Sequence, residues 1–207
     1  MTRTAPERAK RTRRTGLEVR TSLLTAAVET FAERGFAGAS TKEISQRAAV
    51  AEALLFRHFG NKAGLFEAAV LDPFEHFVDS FTGRWATHKV HEEALEDMVH
   101  DFVDMLYGFF EENKLLFEAL LAARSHLESV GAKLDHLFDR LQQITLDASK
   151  EFGLPVGNSA VATRLSFGLI MSATVNGNIL FTSERLMPRE VIVDHLAGYV
   201  LHGIRMA

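Results

Sequence analysis

Helix signals recur along the whole chain and dominate every other pattern in it. Apolar residues return at helical spacing after Thr15 and after Ser40, and each of these residues is followed three positions later by a glutamate, Glu18 or Glu43. This arrangement is typical of a capping box at the start of a helix. No window alternates polar residues with strand formers over a sustained length. The sequence therefore predicts an all-α fold.

Turn residues divide the chain into successive helices. Gly35 is expected to end the first helix, and Asp72-Pro73 to break or kink the helix that begins at Lys62. After the first helix, the predicted ranges are 41–48, 52–59, 62–71, 74–88, 92–112, 114–126, 129–151, 159–182 and 189–206.

The composition permits a large core and removes several kinds of site. Apolar residues make up 47% of the 207 residues, and the absence of cysteine excludes disulfides, thiolate zinc sites and cysteine nucleophiles. The basic N-terminus lacks the apolar region of a secretory signal, and the most apolar later stretch, 165–181, contains two asparagines and is too short to span a bilayer. We therefore expect a cytoplasmic protein with no membrane partner.

Enzymatic and metal-binding functions find little support. His88 and His91 are three residues apart and His100 follows, so a metal site is conceivable, but scattered surface histidines are the usual explanation. The sequence contains no His-Glu-x-x-His motif, no glycine-rich phosphate loop and no evident pair of catalytic acids. We expect no catalytic residues, no metal and no cofactor.

Charge is distributed unevenly along the chain. Residues 1–62 contain twelve basic and six acidic side chains, a net charge of +6, whereas the remainder contains 11 basic and 21 acidic ones, a net charge of -10. A change of sign between the two ends of a chain is more informative than the overall charge of -4. The basic end is the candidate DNA-binding end.

The layout of residues 40–62 is that of a helix-turn-helix: a capped short helix, a three-residue turn, a second short helix and then Gly-Asn-Lys. Leu55 and Phe59 are four residues apart and are expected to face inward, which leaves the other face of the second helix for the major groove. The candidate DNA-contacting residues are Thr41, Lys42, Glu52, Ala53, Leu54, Phe56, Arg57, His58 and Lys62.

These residues differ in the contacts that they offer. Arg57 can donate to guanine or to phosphate, and Leu54 can meet a thymine methyl group. Glu52 either accepts from a cytosine amino group or only favours the positive end of the helix dipole. Thr41 and Lys42 suit phosphates, as does Lys62 at the start of the next helix. Each residue alone would also fit an ordinary solvated helix, but their joint spacing favours DNA.

The run FAERGFAGASTKEISQRAAVAEALLFRHFGNKAGLFEAAV, residues 31–70, resembles the DNA-binding domain of the tetracycline-repressor (TetR) family of bacterial regulators. The resemblance implies about nine helices, a homodimer built by the last two of them, and a repressor that a small ligand releases from a palindromic double-stranded DNA operator. It also implies a basic flexible arm at 1–14, a helix-turn-helix domain at 15–61, and a ligand-binding and dimerisation domain at 62–207.

The sequence departs from the family pattern in the helix-turn-helix itself. The turn Ala49-Val50-Ala51 lacks the common glycine and the serine that would cap the second helix, Phe56 stands where tyrosine is frequent, and Glu52 brings a negative charge to DNA. These departures concern the operator sequence. The basic residues at 8–14 form either an additional DNA-contacting arm or a plain disordered tail.

A wide apolar arc on the predicted helix 92–112, together with neighbouring aromatic residues, is the candidate ligand site. Phenylalanine and methionine suit an apolar or amphipathic effector such as a fatty acid, an acyl thioester or a lipophilic drug. Ordinary core packing is the alternative for each residue, and Asn176 either fixes a ligand head group or bonds to backbone. The candidate ligand residues are Phe102, Met105, Leu106, Phe109, Phe117, Leu121, Phe138, Met171 and Asn176.

The last two predicted helices are the candidate dimer interface. Small residues form a stripe on the first of them, and the last helix is apolar on more than one side, so it is expected to be buried against its own subunit and a second one. The candidate interface residues are Ala162, Ser166, Ala173, Gly177, Leu196, Tyr199, Val200 and Gly203. The alternative function is a helical ligand-binding or scaffold protein with a degenerate DNA-binding unit.

Overall fold

The computed structural model describes residues 14–87, 95–123, 128–154, 157–181 and 187–206, and every regular element within these ranges is a helix. The predicted all-α class is confirmed. Across the described residues, no helix combines the length and the apolar composition that crossing a membrane requires. The helices are α1 (Gly16–Gly38), α2 (Thr41–Arg47), α3 (Glu52–Phe59), α4 (Lys62–Thr87), α5 (Leu95–Glu112), α6 (Lys114–Ala123), α7 (Glu128–Glu151), α8 (Ser159–Val175), α9 (Gly177–Leu180) and α10 (Arg189–Met206).

A capping box starts α1, as predicted. The backbone N–H of Glu18 donates to Thr15 Oγ1 at 3.2 Å, and the backbone N–H of Thr15 donates to the Glu18 carboxylate at 2.6 Å. At the other end, Gly35 has φ 66° and ψ 175°, a conformation that glycine adopts without the strain of a side chain, and one more turn runs to Gly38. The predicted end at Gly35 is therefore a kink inside α1.

The predicted separation of residues 62–71 from 74–88 is wrong, because α4 is one helix with Pro73 inside it. Proline lacks the N–H of a helical hydrogen bond, and its presence in a helix interior costs about 3 kcal/mol or more. Directly after it, Phe74, Phe77 and Val78 are all buried. Full burial of such side chains contributes about 1.5–3 kcal/mol each, which offsets the loss and lets the helix continue.

The predicted helix 159–182 is also wrong as a single element, because α8 and α9 meet at Asn176. The Asn176 backbone has φ -97° and ψ 15°, and its N–H donates to the Ser172 carbonyl at 3.0 Å as the last bond of α8. Gly177 follows directly, and both asparagine and glycine are poor helix formers. The chain therefore restarts as the short helix α9, which ends at Leu180.

Phenylalanine rings from five helices, α4 to α8, form the centre of the core. The ring centroids of Phe110 and Phe167 lie 5.0 Å apart, and both rings contact further phenylalanines edge-on or tilted. The same buried cluster extends without interruption to α1–α3, where Phe31 and Phe66 meet at 4.7 Å. The N-terminal helices and the larger helical body thus share one core. The aromatic cluster consists of Phe74, Phe77, Phe109, Phe110, Phe117, Phe138 and Phe167.

Ion pairs tie α4 to the helices on both sides of it. Arg20 of α1 donates two hydrogen bonds to the Asp72 carboxylate, at 2.7 and 3.1 Å. Lys133 of α7 pairs with the carboxylate of Glu67, a buried residue. The bidentate pair next to Pro73 and the partly buried pair near the start of α4 fix this helix relative to α1 and α7.

Candidate nucleic-acid interface and ligand cavity

The turn between α2 and α3 adopts a conformation that its sequence does not favour. Ala49 has φ 51°, in the left-handed region that glycine prefers. Ala51 occupies the N-cap of α3 and offers no side-chain hydrogen bond, whereas Ser40 caps α2 by accepting from the N–H of Glu43 at 3.1 Å. The hydroxyl of Ser45, buried in α2, has no hydrogen-bond partner among the described residues. Backbone hydrogen bonds from the Ala49 N–H to the Gln46 carbonyl, at 3.1 Å, and from the Val50 N–H to the Ser45 carbonyl, at 3.0 Å, hold the turn without help from a side-chain cap.

The α3 helix has one buried face and one exposed face. Leu55 is completely buried and Phe59 is half-buried against the core. Ala53, Arg57 and His58 are exposed, and so is Phe56, at 45%. Within the described part of the chain, the Arg57 guanidinium has no hydrogen bond or ion pair to another side chain, so all its donors face solvent.

The remaining predicted α3 contacts, Glu52 and Leu54, are half-buried. Glu52 accepts a hydrogen bond from Thr41 Oγ1 at 2.7 Å, and this bond joins the first turn of α3 to the first turn of α2. While it is formed, the Thr41 hydroxyl proton is not available to a phosphate. Lys42, the next residue, is exposed.

Lys62 is positioned by contacts of its own. Its ammonium donates to the carbonyl of Ala37 at 3.4 Å and lies 4.7 Å from the centre of the Phe36 ring, and desolvation lowers its pKa. The lysine therefore braces the start of α4 against the end of α1. Beside it, the Cβ of any residue replacing Gly64 would lie 2.3 Å from the Phe59 carbonyl oxygen, so the turn between α3 and α4 requires glycine here.

Several basic residues of the N-terminal helices are already paired. Arg47 donates to both carboxylate oxygens of Glu33, at 2.8 and 2.6 Å, and these hydrogen bonds raise its pKa. Arg34 pairs with Glu43 at 2.9 Å. Arg14 donates to the Ala48 carbonyl at 3.0 Å, while the rest of the basic arm, 1–13, lies outside the described residues. Among the described residues near α3, the unpaired cations are therefore Arg57 and Lys42.

A cavity of about 70 Å³ lies inside the helical body, between α4, α5, α7, α8 and α10. Its wall includes Phe81 and Trp85 of α4, Phe102 of α5 and the hydroxyl residue Thr145 of α7. A smaller hollow of about 20 Å³ shares Phe81 and Trp85 with it and is also lined by Met105. Of the nine predicted ligand residues, Phe102 lines the cavity and Met105 lines the hollow.

The structure places the other predicted ligand residues elsewhere. Phe109, Phe117 and Phe138 belong to the aromatic cluster, where they contact other phenylalanine rings. Leu106 is completely buried and Met171 packs half-buried on the same core, whereas Leu121 is 40% exposed. Asn176 forms the junction of α8 and α9. Sequence reasoning missed Phe81 and Trp85, because it assigned the second half of α4 to a separate helix.

The predicted interface residues on the last helices fall into three groups. Ala162 and Ser166 line the internal cavity. Ala173, Leu196 and Val200 are buried in the subunit core, and Gly177 is half-buried. Tyr199, at 69%, and Gly203 are exposed.

A row of large exposed apolar side chains on α8 was missed. Val161, Leu165 and Leu169 recur every four residues, and Leu165 is 68% exposed. Near the end of this row, α8, α9 and α10 enclose an apolar cleft of about 340 Å³, with Leu169 and Tyr199 in its wall. The four-residue repeat was visible in the sequence, but α8 is apolar on every side, so the repeat did not distinguish an outer from an inner face.

The histidines do not assemble into a metal site in the described part of the chain, where no group of potential ligands is found. His100 Nε2 lies 3.0 Å from a carboxylate oxygen of Asp194, linking α5 to α10. His88 and His91, the other members of the conceivable metal site, lie outside the described residues.

Comparison with known proteins agrees with this geometry. Residues 23–69, which include α2, α3 and the start of α4, match the model of bacterial regulatory proteins of the tetR family. The helix-turn-helix segment of this chain is that of the tetR family. The protein is a DNA-binding transcriptional regulator, and the resemblance seen in the sequence is confirmed.

Three relatives illustrate the range of similarity. The HTH-type transcriptional activator FasR of Mycolicibacterium smegmatis is 28% identical over 193 residues, which cover 90% of this chain and 83% of that protein. An HTH-type transcriptional repressor of Mycobacterium tuberculosis is 38% identical over 102 residues, covering 49% of this chain and 50% of the relative. The crystal structure of the transcriptional regulator FadR from Bacillus subtilis in complex with stearoyl-CoA has a similar fold, with a TM-score of 0.64 against this chain, at 15% identity over 89% of this chain and 97% of that one.

Proposed function

We propose that this tetR-family regulator is a homodimeric repressor that binds a palindromic operator and is released by an apolar or amphipathic effector. Residues 15–61 serve as the DNA-binding domain, preceded by a basic arm at 1–14, and residues 62–207 bind the effector and form the dimer. The similarity to the repressor of Mycobacterium tuberculosis supports repression over activation. FasR, which is named an activator, is similar over more of the chain.

The exposed face of α3 carries the proposal for DNA binding. The guanidinium of Arg57 is unpaired among the described residues, and Arg57 lies on the exposed face of α3, whereas Leu55 is buried on the other face. Arg57 can therefore enter a major groove while Leu55 keeps α3 packed on the core. Lys42, next to Thr41 at the start of α2, is exposed and can contact a phosphate. Lys62, drawn towards Ala37, acts more as a brace of the interface than as a free cation.

A gel-shift series against DNA flanking the protein's own gene tests this assignment. Arg57→Ala should weaken specific binding by about 1–3 kcal/mol and relax the preference at one base position. Lys42→Ala should weaken binding to all sequences alike and reduce the salt dependence by about one ion. Lys150→Ala, which removes the same charge from an exposed position on α7, is the matched control. If Arg57→Ala and Lys42→Ala both bind DNA like the wild type, the assignment of α2 and α3 as the DNA-binding surface is refuted.

The exposed leucines of α8 support dimerisation. Leu169 and Tyr199 expose apolar surface in the wall of one cleft, and Leu165 is exposed one turn before Leu169. Such patches on soluble proteins mark contact sites. Two copies of α3 are required for a palindromic operator with half-sites one helical turn apart. Leu165→Glu should give monomers by light scattering and abolish operator binding, whereas Leu115→Glu, at an exposed position of α6, should leave the dimer intact. A Leu165→Glu protein that remains dimeric would exclude this face.

The internal cavity is the proposed effector site. At about 70 Å³ it is well below the roughly 300–1,000 Å³ of typical ligand pockets, so an effector has to move its walls apart. Two of those wall residues, Phe81 and Trp85, belong to α4, whose first turns pack against α3. An effector that favours a displaced α4 therefore lowers the population competent for DNA. The fatty-acyl thioester in the related Bacillus subtilis structure supports an acyl-type effector.

Filling the cavity tests the effector site. Ala162→Leu places additional carbon atoms in the cavity wall, so it should leave operator binding intact while reducing release by acyl thioesters. Ala160→Leu, two residues earlier on α8 and outside the cavity wall, should keep the wild-type response. Equal sensitivity of both variants to ligand, measured by gel shift and thermal shift, would place the effector elsewhere.

A further inference from the structure

The described residues that line the cavity include no charged side chain. Fourteen residues line it, eleven of them apolar or aromatic, and the other three are the hydroxyl residues Thr145, Thr163 and Ser166. Thr145 of α7 and Thr163 of α8 lie side by side, with 3.5 Å between their hydroxyl oxygens, and Ser166 lies three residues after Thr163 on α8.

The hydroxyls of this group are weakly engaged. Thr145 Oγ1 lies 3.4 Å from the Leu141 carbonyl oxygen and 3.5 Å from Thr163 Oγ1, both at the long limit of hydrogen bonding. Thr163 and Ser166 are three residues apart and therefore lie on the same face of α8. Because their present bonds are long, the hydroxyls can turn towards a ligand and lose little.

Among the described residues, no cationic side chain lines the cavity to compensate a buried anion. Charged residues border the adjoining hollow instead, where Arg84 and Asp101 pair at 3.6 Å and both side chains are more than half exposed. Burial of an ionised carboxylate or ammonium in an apolar site without a charged partner is strongly unfavourable. A neutral oxygen, in contrast, is satisfied by one hydroxyl donor.

From this lining we infer that the part of the effector buried in the cavity is lipophilic and uncharged and bears a neutral oxygen function, such as an alcohol, ketone, ester or thioester, that bonds to Thr145, Thr163 or Ser166. This inference rests on the proposed effector site and narrows its ligand class. Free fatty acids and lipophilic cations have the same hydrocarbon chains, but binding in the cavity would bury their charged group. We therefore exclude them as effectors that bind in this way.

Four compounds with one chain length test the ligand class: decanol, decanoate, decylammonium and decane. In thermal-shift and gel-shift titrations of the full-length protein at neutral pH, decanol should bind at least tenfold more tightly than either ion and more tightly than decane. Decanoate binding should strengthen as the pH falls towards the pKa of the acid, because the neutral form is the one accommodated.

Two isosteric variants test the hydroxyl contact. Thr163→Val should reduce decanol affinity several-fold and leave decane affinity unchanged. Thr174→Val is the matched control, because Thr174 is also buried on α8 but donates to the Ile170 carbonyl at 2.9 Å and does not line the cavity. Thermal unfolding of both variants without ligand shows that each is folded.

The outcomes separate this inference from the proposed function. If decanoate or decylammonium binds as tightly as decanol and releases DNA, the effector site stands and the uncharged class is wrong. If Thr163→Val binds decanol like wild type, the hydroxyl contact is wrong. If operator binding is intact and none of the four compounds binds, the cavity is not an effector site and both proposals fail.

Discussion

Replacement of Ala49 by glycine should stabilise the DNA-binding unit. The positive φ of 51° costs a residue with a Cβ about 1–2 kcal/mol relative to the right-handed region. Glycine removes this strain but loses about 0.5–1 kcal/mol more conformational entropy on folding. The difference leaves a net gain of about 0.5–1 kcal/mol, which for a chain of this size raises Tm by about 1–4 °C.

The matched control is the same substitution at Ala53, on the exposed face of α3. That residue is in a right-handed helix, where glycine is less favourable than alanine by about 1 kcal/mol, so Ala53→Gly should lower Tm. Thermal unfolding followed by circular dichroism measures whether each substitution raises or lowers Tm. Amide hydrogen exchange in α3 tests whether the change in stability is local. A decrease of Tm by Ala49→Gly equal to that of Ala53→Gly would refute the argument, because it would mean that the turn stores no strain.

Three further substitutions address the same unit. Ser45→Ala removes a buried hydroxyl without a partner among the described residues and should raise the free energy of unfolding by about 1 kcal/mol in a denaturant titration; a loss of stability would show that the hydroxyl is bonded. Gly64→Ala should lower stability by about 1–3 kcal/mol because its Cβ would collide with the Phe59 carbonyl, and a neutral effect would mean that the turn can open freely. Glu52→Gln removes a carboxylate from the start of α3. It should tighten binding to non-cognate DNA by about 1 kcal/mol in competition gel shifts. Unchanged affinity would show that the Glu52 charge does not oppose DNA binding.

Short-range signals made the N-terminal unit predictable. The bounds of α3 agree with the prediction, and α2 differs by one residue at its end, since capping residues and glycines act within one turn of the chain. The helix boundaries were predicted wrongly where contacts between residues distant in the sequence determine them. Nothing near Pro73 in the sequence reveals that Phe74 and Phe77 are held in the aromatic cluster, and it is this burial that carries α4 past the proline.

The surfaces of the helical body were harder to predict for a related reason. A helix such as α8, apolar on all sides, gives no indication of which side meets its own subunit. Small residues were assigned to the outer face, yet Ala162 and Ser166 line the cavity and Leu165 is exposed. Likewise, phenylalanines that suited a ligand, such as Phe109, fill the core instead, because side-chain type alone does not distinguish a packed ring from a cavity wall.

The continuity of α4 gives the two halves of the protein a direct mechanical connection. Near one end, Gly64 contacts the carbonyl of Phe59 in α3, and near the other, Phe81 and Trp85 line the cavity. Had the chain broken at Pro73, one of the two outcomes that the sequence left open, a displacement at the cavity would have been absorbed by the break. Because the helix is continuous, we expect a ligand that pushes on Phe81 to change the angle of α4 at α3 as well. The cost of that change is set in part by the Arg20–Asp72 pair, which ties the middle of α4 to α1 and has to shift when α4 tilts.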